Sequence, residues 1–249
     1  MSVRTAVLSD LHANREALEA VLEHAERQAV DSYALLGDFV GYGADPAWVV
    51  DRVRELVAGG AVAVQGNHDL ATAEGASPGM RPEPRQVIEW TRGQLDAEQI
   101  AFLAELPPLV RTDACVYVHA NAWDPLGYEY VLGRSEAARS LQAAGTQLSF
   151  CGHVHEARLY HADAQGRVAD FLPTPGAPVP LLPLRQWLVI AGSVGQPRDG
   201  DPAACYVVHD SRAQTVTWWR VPYDHEGAAA KIRAAGLPPA LADRLAEGL

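Results

Sequence analysis

Five apolar runs in this chain each end in a polar group, and this repeated ending is the strongest constraint on its fold. The polar groups are Asp10 with His12, Asp38, the segment 66–69, His119, and His153 with His155. Ligands of α/β sheets gather outside the carboxyl ends of the strands. The pattern therefore predicts a buried sheet that presents all five groups at one site, with Asp38 at its middle.

The order of the elements in the first quarter of the chain predicts parallel strands. The predicted strands are Thr5–Leu8, Tyr33–Leu36 and Ala61–Val64. A helix follows each of the first two strands. Asn14 is a typical N-cap for the first helix, and Asp45-Pro46 fits an N-cap followed by the first residue of the second. Alternating strands and helices imply parallel pairing with right-handed crossovers.

Residues 70–85 interrupt this pattern with several glycines and prolines. A long segment without regular structure directly after a site is often functional. The alternatives are a functional flap and a disordered surface loop, and the sequence leaves both open. Two helices are predicted within residues 87–106, and Asp96 caps the second.

The second half of the chain changes to shorter runs that are typical of antiparallel strands. These runs are Arg158–Tyr160, Trp187–Ile190, Cys205–His209 and Thr215–Arg220. The proline-rich stretch 176–183 is predicted to be a connecting loop, and residues 225–249 to form terminal helices. No repeat or linker requires two domains, so we predict one domain over residues 1–249, built as two β-sheets packed face to face with helices outside.

The charge and the cysteines exclude several classes of protein. A formal net charge of −11 argues against nucleic acid or an anionic membrane as a partner. No apolar stretch is long enough to cross a bilayer, and the N-terminus lacks the shape of a signal peptide, so we expect a cytoplasmic protein. The three cysteines are isolated in apolar runs without C-x-x-C spacing, which argues against a disulfide framework or a thiolate zinc site.

The polar groups together have the composition of a metal site. If the chain stays extended past the strand ends, alternate residues point the same way. Asp10 and His12 are then predicted to share one ion, and so are His153 and His155. Carboxylate, imidazole and amide ligands suit divalent Mn, Fe, Co, Ni or Zn. The set exceeds one tetrahedral ion and matches two ions, about 3.5–4 Å apart, bridged by a carboxylate. Any one of these histidines taken alone is more typical of a polar surface residue or a hydrogen-bonded core residue.

The motifs D-x-H, G-D-x-x-x-x-x-G, G-N-H-D, H and G-H-x-H, in this order, resemble those of the calcineurin-like metallophosphoesterases. The likeness extends over nearly the whole chain. The segments Gly41–Pro46 and Gly192–Gly200 are similar to those of the small bacterial branch often called YfcE-like. The resemblance implies an α/β fold, a four-layer α/β/β/α sandwich of two mixed β-sheets flanked by helices.

The resemblance also implies a ligand set in which the Asp38 carboxylate bridges two divalent ions. The first ion would be held by Asp10, His12, Asp38 and His155. The second would be held by Asp38, Asn67, His119 and His153. Mn or Fe is favoured, with Zn, Ni and Co as alternatives. A bridging hydroxide would attack phosphorus in line.

The resemblance also implies a catalytic role for His68, and Asp69 and Arg198 are candidates beside it. His68 would stabilise the phosphoryl oxygens or protonate the leaving alkoxide, and Asp69 would orient it. Arg198 would bind substrate phosphate through its guanidinium fork, or else form a structural ion pair with Asp199 or Asp201.

Two roles are open for the aromatic side chains on the loops. Tyr42, Trp123 and Tyr128 would line a pocket for a base or an aryl group, or they would pack as lids. The sequence favours packing slightly.

These features predict a dinuclear metal-dependent phosphoesterase that hydrolyses small or nucleotide-like phosphodiesters. Alternatives within the enzyme class are a phosphomonoesterase or protein phosphatase and a dinucleoside-polyphosphate hydrolase. The non-enzyme alternative is a metal-free scaffold of the same fold, against which the intact ligand set and His68 argue. The predicted partner is a small phosphoester, without membrane or nucleic acid. Oligomerisation through the terminal helices or residues 173–183 is left open.

Overall fold

The computed structural model describes residues 3–76 and 80–249, and within them the chain forms twelve strands and eight helices. The strands are β1 (Arg4–Leu8), β2 (Ser32–Leu35), β3 (Val62–Ala63), β4 (Leu109–Arg111), β5 (Cys115–Val118), β6 (Leu148–Cys151), β7 (Ala157–Ala162), β8 (Val168–Phe171), β9 (Val179–Pro180), β10 (Gln186–Ala191), β11 (Ala204–Asp210) and β12 (Thr215–Val221). The helices are α1 (Arg15–Arg27), α2 (Pro46–Ala58), α3 (Asn67–Glu74), α4 (Pro82–Gly93), α5 (Ala97–Glu105), α6 (Arg134–Ala144), α7 (His225–Ala234) and α8 (Pro239–Glu247).

The strands form two six-stranded mixed sheets. The first sheet has the order β3-β2-β1-β11-β12-β9. Its strands β1, β2 and β3 are parallel, as the alternation with helices predicts, and β11 runs antiparallel to β1. The second sheet has the order β4-β5-β6-β10-β7-β8, in which β5, β6 and β10 are parallel. The carboxyl ends of β1, β2, β3, β5 and β6 are the five strand ends that carry the polar motifs.

Alternating side chains of each inner strand pack on opposite faces of its sheet. Leu8 of β1 packs in the layer under α1 and α2, whereas Val7 packs between the two sheets. Phe150 of β6 is fully buried in this inter-sheet layer, and Leu141 of α6 covers the outer face of the second sheet. Burying one such side chain contributes roughly 1.5–3 kcal/mol, so the apolar layers hold the sheets face to face. The predicted four-layer sandwich is confirmed, and a single domain over residues 1–249 stays a prediction.

Side-chain caps start two of the helices as predicted, and in the third Asp45 and Pro46 take the predicted N-cap and first helical positions. Asn14 accepts a backbone hydrogen bond from the first turn of α1 at 3.1 Å. The Asp96 carboxylate accepts from the Gln99 N–H at 2.8 Å, and the Gln99 side chain accepts from the Asp96 N–H at 3.1 Å. Asp45 precedes α2 without capping it through its side chain. Its carboxylate accepts instead from Lys231 of α7 at 2.7 Å, because that helix packs beside it.

The segment 70–85 contains more regular structure than the sequence predicts. Helix α3 extends to Glu74 and α4 begins at Pro82, so the expectation of one long irregular segment is wrong. A carboxylate at position 69 caps α3, and proline at the first position of α4 has the backbone angle that a helix needs. Residues 77–79 of the predicted loop lie outside the described residues.

Short edge strands are the other elements that the sequence pattern does not indicate. Val179–Pro180 in the predicted connecting loop pairs with β12 as β9, and β4 and β8 form the edges of the second sheet. Runs of two to four residues are too short to show alternation. The two terminal helices are confirmed as α7 and α8. None of the described helices is long and apolar enough to cross a bilayer.

Replacing Asp96 by alanine removes the side-chain cap of α5. We expect the free energy of unfolding to fall by about 1 kcal/mol, measured by urea denaturation. Asp113→Ala is the control, because Asp113 is exposed and lies outside the helices. Equal unfolding midpoints for the two variants would show that the cap does not stabilise the fold.

Candidate metal centre

Seven predicted ligand side chains converge between the carboxyl ends of the parallel strands of the two sheets. They are Asp10, His12, Asp38, Asn67, His119, His153 and His155. The residues after β1, β2 and β3 come from the first sheet, and those after β5 and β6 come from the second. The site therefore lies where the two sheets meet, and all of its members except Asn67 are buried.

One donor group consists of Asp10, His12, Asp38 and His155. One donor atom from each residue lies within 4.8 Å of the others. His155 Nε2 is 3.3 Å from Asp10 Oδ1 and 3.1 Å from His12 Nε2. His12 Nε2 is 3.8 Å from Asp38 Oδ2. These donors have the separations expected of atoms that surround one ion.

The second donor group consists of Asp38, His119 and His153, with Asn67 beside it. His119 Nε2 is 3.4 Å from Asp38 Oδ2, 3.0 Å from His153 Nδ1 and 3.1 Å from Asn67 Oδ1. Asp38 Oδ2 therefore faces both groups. The geometry joins the two groups through this one carboxylate, as the motif resemblance implies.

Backbone carbonyl groups fix the orientation of all four imidazoles. Each ring has one nitrogen at a carbonyl oxygen and the other nitrogen toward the centre. The pairs are His12 Nδ1 with Val40 O at 3.2 Å, His119 Nδ1 with Leu36 O at 2.7 Å, His153 Nε2 with Tyr128 O at 3.0 Å and His155 Nδ1 with Gln196 O at 2.6 Å. A carbonyl oxygen only accepts, so the outer nitrogen carries the hydrogen and donates. In the neutral ring the inner nitrogen then presents a lone pair, which is how proteins prepare histidine for a metal.

The charges of the site favour a cation at its centre. The positive charge and hydrogen bond of His155 hold the pKa of Asp10 well below its usual range against the opposing effect of burial, and His119 does the same for Asp38. Burial lowers the pKa of His12 strongly and that of His153 to about 4. Two ionised carboxylates and four imidazole nitrogens thus share a buried space, and divalent cations suit this donor set once the rings are deprotonated.

His119 is the imidazole that holds a proton most firmly. Burial lowers its pKa, but the negative charge of Asp38 outweighs burial and raises the pKa of His119 to about 9. A metal ligand must be deprotonated, so binding of an ion by His119 releases a proton. The affinity of the second donor group is therefore expected to rise with pH.

Five of the donor residues have left-handed backbone conformations. The φ angles are 55° at Asp10, 47° at His12, 53° at Asp38, 67° at His153 and 64° at His155. Residues other than glycine pay about 1–3 kcal/mol each for such a backbone, and the strain is commonly found at functional sites. The chain is thus not extended past the strand ends, and one inference from extended geometry is wrong. Asp10 and His12 do share a group, but His153 and His155 turn into different groups.

Two motif glycines are required because the donor loops touch each other. A Cβ at Gly66 would collide with the backbone N and Oδ1 of Asp38. A Cβ at Gly152 would collide with the Ser9 hydroxyl and lie 2.6 Å from Asp10 Oδ2. The glycines of G-N-H-D and G-H-x-H therefore permit the close approach of the loops on which the donors lie.

Asp69 has other partners than the predicted one. Its Oδ1 accepts from the Phe39 N–H at 2.8 Å and the Val40 N–H at 3.3 Å, and its Oδ2 accepts from the Gly66 N–H at 3.0 Å. Burial and the nearby charge of Asp38 raise the pKa of Asp69 to about 7. The prediction that Asp69 orients the His68 ring is wrong. Its carboxylate ties the loop that carries Asp38 to the start of α3.

His68 lies against the donor groups without belonging to either. Its backbone N–H donates to Asp38 Oδ1 at 2.8 Å, and its ring packs edge-on against His12 at 5.1 Å. The ring Nε2 lies 3.0 Å from the Tyr42 hydroxyl, and the Arg198 guanidinium lies 5.7 Å from the centre of the Tyr42 ring. Burial lowers the pKa of His68. The structure therefore brings the predicted residues His68, Tyr42 and Arg198 together beside Asp38.

Arg198 does not form the structural ion pair that the sequence left open. Asp199 and Asp201 pair instead with Arg220, which reaches them from β12. The Arg198 guanidinium donates to Gln196 Oε1 from Nε at 3.3 Å and from Nη2 at 2.8 Å. No carboxylate of the described residues pairs with Arg198, whose positive charge is turned toward Tyr42.

The predicted aromatic residues divide between the site and the core. Trp123 packs on the outer face of the second sheet under the Arg139 guanidinium, 4.3 Å from its ring centre, which is the packing alternative. The Tyr128 ring packs edge-on against His119 at 5.9 Å. Its hydroxyl is buried without a hydrogen-bond partner in the described ranges.

Sequence reasoning missed the contacts that orient the imidazoles. The carbonyl partners at residues 36, 40, 128 and 196 act through the backbone, so their side chains give no signal. Tyr130 is also missed, although its ring stacks on His153 at 4.0 Å with an interplanar angle of 15°. Its place in the polar and aromatic segment 121–130, two residues after Tyr128, is the signal that points to it.

We compared the chain with a family model, with related sequences and with solved structures. The family model described as the calcineurin-like phosphoesterase superfamily domain matches residues 3–214. A metallophosphoesterase from Sphaerobacter thermophilus, known from a crystal structure, is 38% identical, with a TM-score of 0.88 over 100% of both chains. An uncharacterized protein of Methanocaldococcus jannaschii is 32% identical over 245 residues, 96% of each chain. A hypothetical protein from Pyrococcus horikoshii shares the fold at 18% identity, with a TM-score of 0.81 over 99% of both chains.

Replacing Asp69 by alanine tests whether this residue positions the donor loops. Each buried N–H left without its acceptor costs roughly 1–3 kcal/mol, so we expect a clear fall in the free energy of unfolding, measured by urea denaturation. We also expect weaker Mn binding in calorimetric titration, because Asp38 and Asn67 are no longer held together. Asp69→Asn keeps one acceptor oxygen and should lose less. Wild-type stability and Mn affinity in Asp69→Ala would refute the positioning role.

Proposed function

The chain belongs to the calcineurin-like phosphoesterase superfamily, as its five motifs predict, and from that premise we propose that it is a metal-dependent phosphodiesterase. The observation that carries the proposal is the shared carboxylate of Asp38. One oxygen of Asp38 faces two separate donor groups whose imidazoles all turn a nitrogen inward. Such a pair of sites is the arrangement of two-metal hydrolases.

The proposed ligands are the two donor groups with Asn67. Asp10, His12 and His155 would hold the first ion, His119, His153 and Asn67 the second, and Asp38 both. Mn or Fe suits this mixture of imidazole and carboxylate donors, and Zn, Ni or Co is compatible with it. Two such ions would supply Lewis-acid activation of a water molecule and of the phosphoryl group.

His68 is proposed to act on the substrate directly. Its backbone is fixed to Asp38 and its ring to Tyr42, so the imidazole keeps one orientation beside the donor groups. From there it would donate a hydrogen bond to a phosphoryl oxygen and supply the proton that the leaving alkoxide takes up. A preorganised donor in a buried site stabilises the transition state without the cost of reorienting water.

Arg198 and Tyr42 are proposed to hold the substrate on the same side. A guanidinium matches the geometry of phosphate oxygens, and the charge of Arg198 is compensated by no carboxylate in the described part of the chain. Tyr42 adopts a left-handed backbone, with φ at 65°, that places its ring between His12 and His68. The pair would border the phosphoryl group opposite the donor atoms.

The space beside His68 can hold an organic group of the substrate. A surface depression begins at Asn67 and His68 and extends away from the donor groups. It gives room for one ester group of the proposed phosphodiester. The metal-free scaffold is disfavoured because both donor groups are intact and His68 lies beside them.

Replacing Asp38 by alanine tests the proposal. We expect the wild-type chain to bind two Mn ions by elemental analysis and to hydrolyse bis(4-nitrophenyl) phosphate when Mn is added. Asp38→Ala should lose both the ions and the activity, because each donor group loses a charged ligand. Asp113→Ala, which alters an exposed carboxylate, should keep both. A wild-type chain without Mn-dependent hydrolysis of this diester would refute the proposal.

Replacing His68 by asparagine separates metal binding from chemistry. We expect the variant to keep its Mn content, because His68 is in neither donor group. Turnover should fall by about 10²–10⁴-fold, with a larger loss for a phenyl leaving group than for 4-nitrophenyl, because the poorer leaving group needs the proton more. Unchanged turnover of the phenyl ester would remove the proposed role of His68.

A further inference from the structure

The surface depression beside His68 has the size of a ligand site. Its volume is about 680 Å³, within the range of roughly 300–1,000 Å³ that small-molecule pockets occupy. Asn67, His68 and Tyr42 form the end that meets the donor groups. A molecule bound at the donor groups would therefore extend into this depression, which we call the His68 groove.

The walls of the His68 groove are apolar. They come from α4, from α8 and from the segments that lead into these helices. The apolar residues are Val87, Ile88, Leu241, Pro82, Pro84 and Pro238. The helices are held together by a small core of their own, which Val87 and Leu241 share. The groove thus offers a fixed apolar surface to a flat or aliphatic group.

Two arginines at the His68 groove have no partner within residues 3–76 and 80–249. Among the residues that the structure describes, only Arg81, Arg212 and Arg244 have guanidinium groups with no hydrogen bond, ion pair or ring contact. Arg81 and Arg244 line the groove. Most other basic side chains of this acidic chain pair with a carboxylate or bond to a backbone carbonyl. Unpaired guanidinium groups therefore concentrate at the groove.

The local charge of the groove is opposite to that of the chain. Glu83 is the one carboxylate among the lining residues, so two guanidinium groups leave a positive excess where the chain as a whole carries −11. Arg244 also lines a neighbouring depression together with Arg198, where Asp243 and Glu247 offset the two guanidinium charges. The positive excess is therefore confined to the His68 groove itself.

We propose that the His68 groove binds the leaving group of the substrate, and that this leaving group is an apolar ring system carrying a second phosphate. The inference rests on the proposed phosphodiesterase function. The apolar walls explain a ring, and the guanidinium forks of Arg81 and Arg244 match phosphate oxygens. An uncharged aryl group would leave the arginines without a function, and a bare phosphate would leave the walls without one. Nucleotides have the required combination.

Binding of adenosine diphosphate and adenosine to the full chain tests the groove itself. Calorimetry in EDTA removes divalent ions, so affinity then reports the protein side chains. We expect the diphosphate to bind at least about tenfold more tightly than the nucleoside, since hydrogen bonds to charged groups contribute enough for that ratio. The double variant Arg81→Ala/Arg244→Ala should lose the difference. Arg212→Ala should keep it, because Arg212 is unpaired but lies on the turn between β11 and β12.

Equal affinities of the two compounds, or an unchanged difference in the double variant, would overturn the proposal. Loss of the difference in Arg212→Ala would overturn it too, because general charge would then explain binding. High salt should reduce the difference in the wild type, because guanidinium–phosphate attraction at an exposed rim is screened.

Hydrolysis distinguishes failure of the groove from failure of the proposed function. We expect the double variant to lose at least about tenfold more kcat/KM on diadenosine tetraphosphate than on bis(4-nitrophenyl) phosphate, which has no second phosphate. Equal losses on both substrates would contradict the groove proposal and leave the phosphodiesterase proposal standing. A wild-type chain that does not hydrolyse bis(4-nitrophenyl) phosphate with Mn would refute the phosphodiesterase proposal, and the ADP measurement would still decide the groove.

Discussion

The structure depends on a set of buried donor side chains. Their imidazole nitrogens that point away from the centre are already hydrogen-bonded to the backbone. Each of four imidazoles uses one nitrogen on a backbone carbonyl, which leaves the other for the centre. Asp10 and Asp38 add ionised carboxylates to the same space. Burying charge is costly unless it is paired. His155 and His119 compensate these carboxylates, and a bound cation would take over that pairing. In the proposed centre, Asp38 would relate one ion to the other.

The same cations would link the fold together. The first donor group takes Asp10 and Asp38 from the first sheet and His155 from the second, so an ion there joins the two sheets where their strands end. The left-handed backbone at these residues destabilises the folded state. Without bound metal, the packing of the apolar layers must offset this cost. Since a ligand stabilises the state that binds it, metal binding would offset that strain. Glycine is needed at Gly66 and Gly152 because a Cβ there would collide with the neighbouring donor loop.

The fold and the donor set are predictable from the sequence to a large extent. The strands that end in Asp38 and His119 can be recognised in the sequence as apolar runs followed by a polar residue. The alternation of strands with helices predicts that the strands are parallel. It is harder to predict from the sequence which donors share a group, because this depends on the backbone angles of the residues that follow the strands. His153 and His155 illustrate this, since an extended chain would put them together and the left-handed turns separate them. The role of Asp69 has the same origin, because its partners are backbone groups that no side-chain pattern reveals.

The central claim is that Asp38 joins two ions into one centre, and electron paramagnetic resonance of the Mn-loaded chain tests it most directly. Two Mn ions a few ångströms apart and bridged by a carboxylate are exchange-coupled. The spectrum at full loading should therefore show the broadened, temperature-dependent signal of a coupled pair, and intensity should be lost as the second ion binds. A spectrum that grows in proportion to added Mn and keeps the hyperfine pattern of isolated ions would contradict the account.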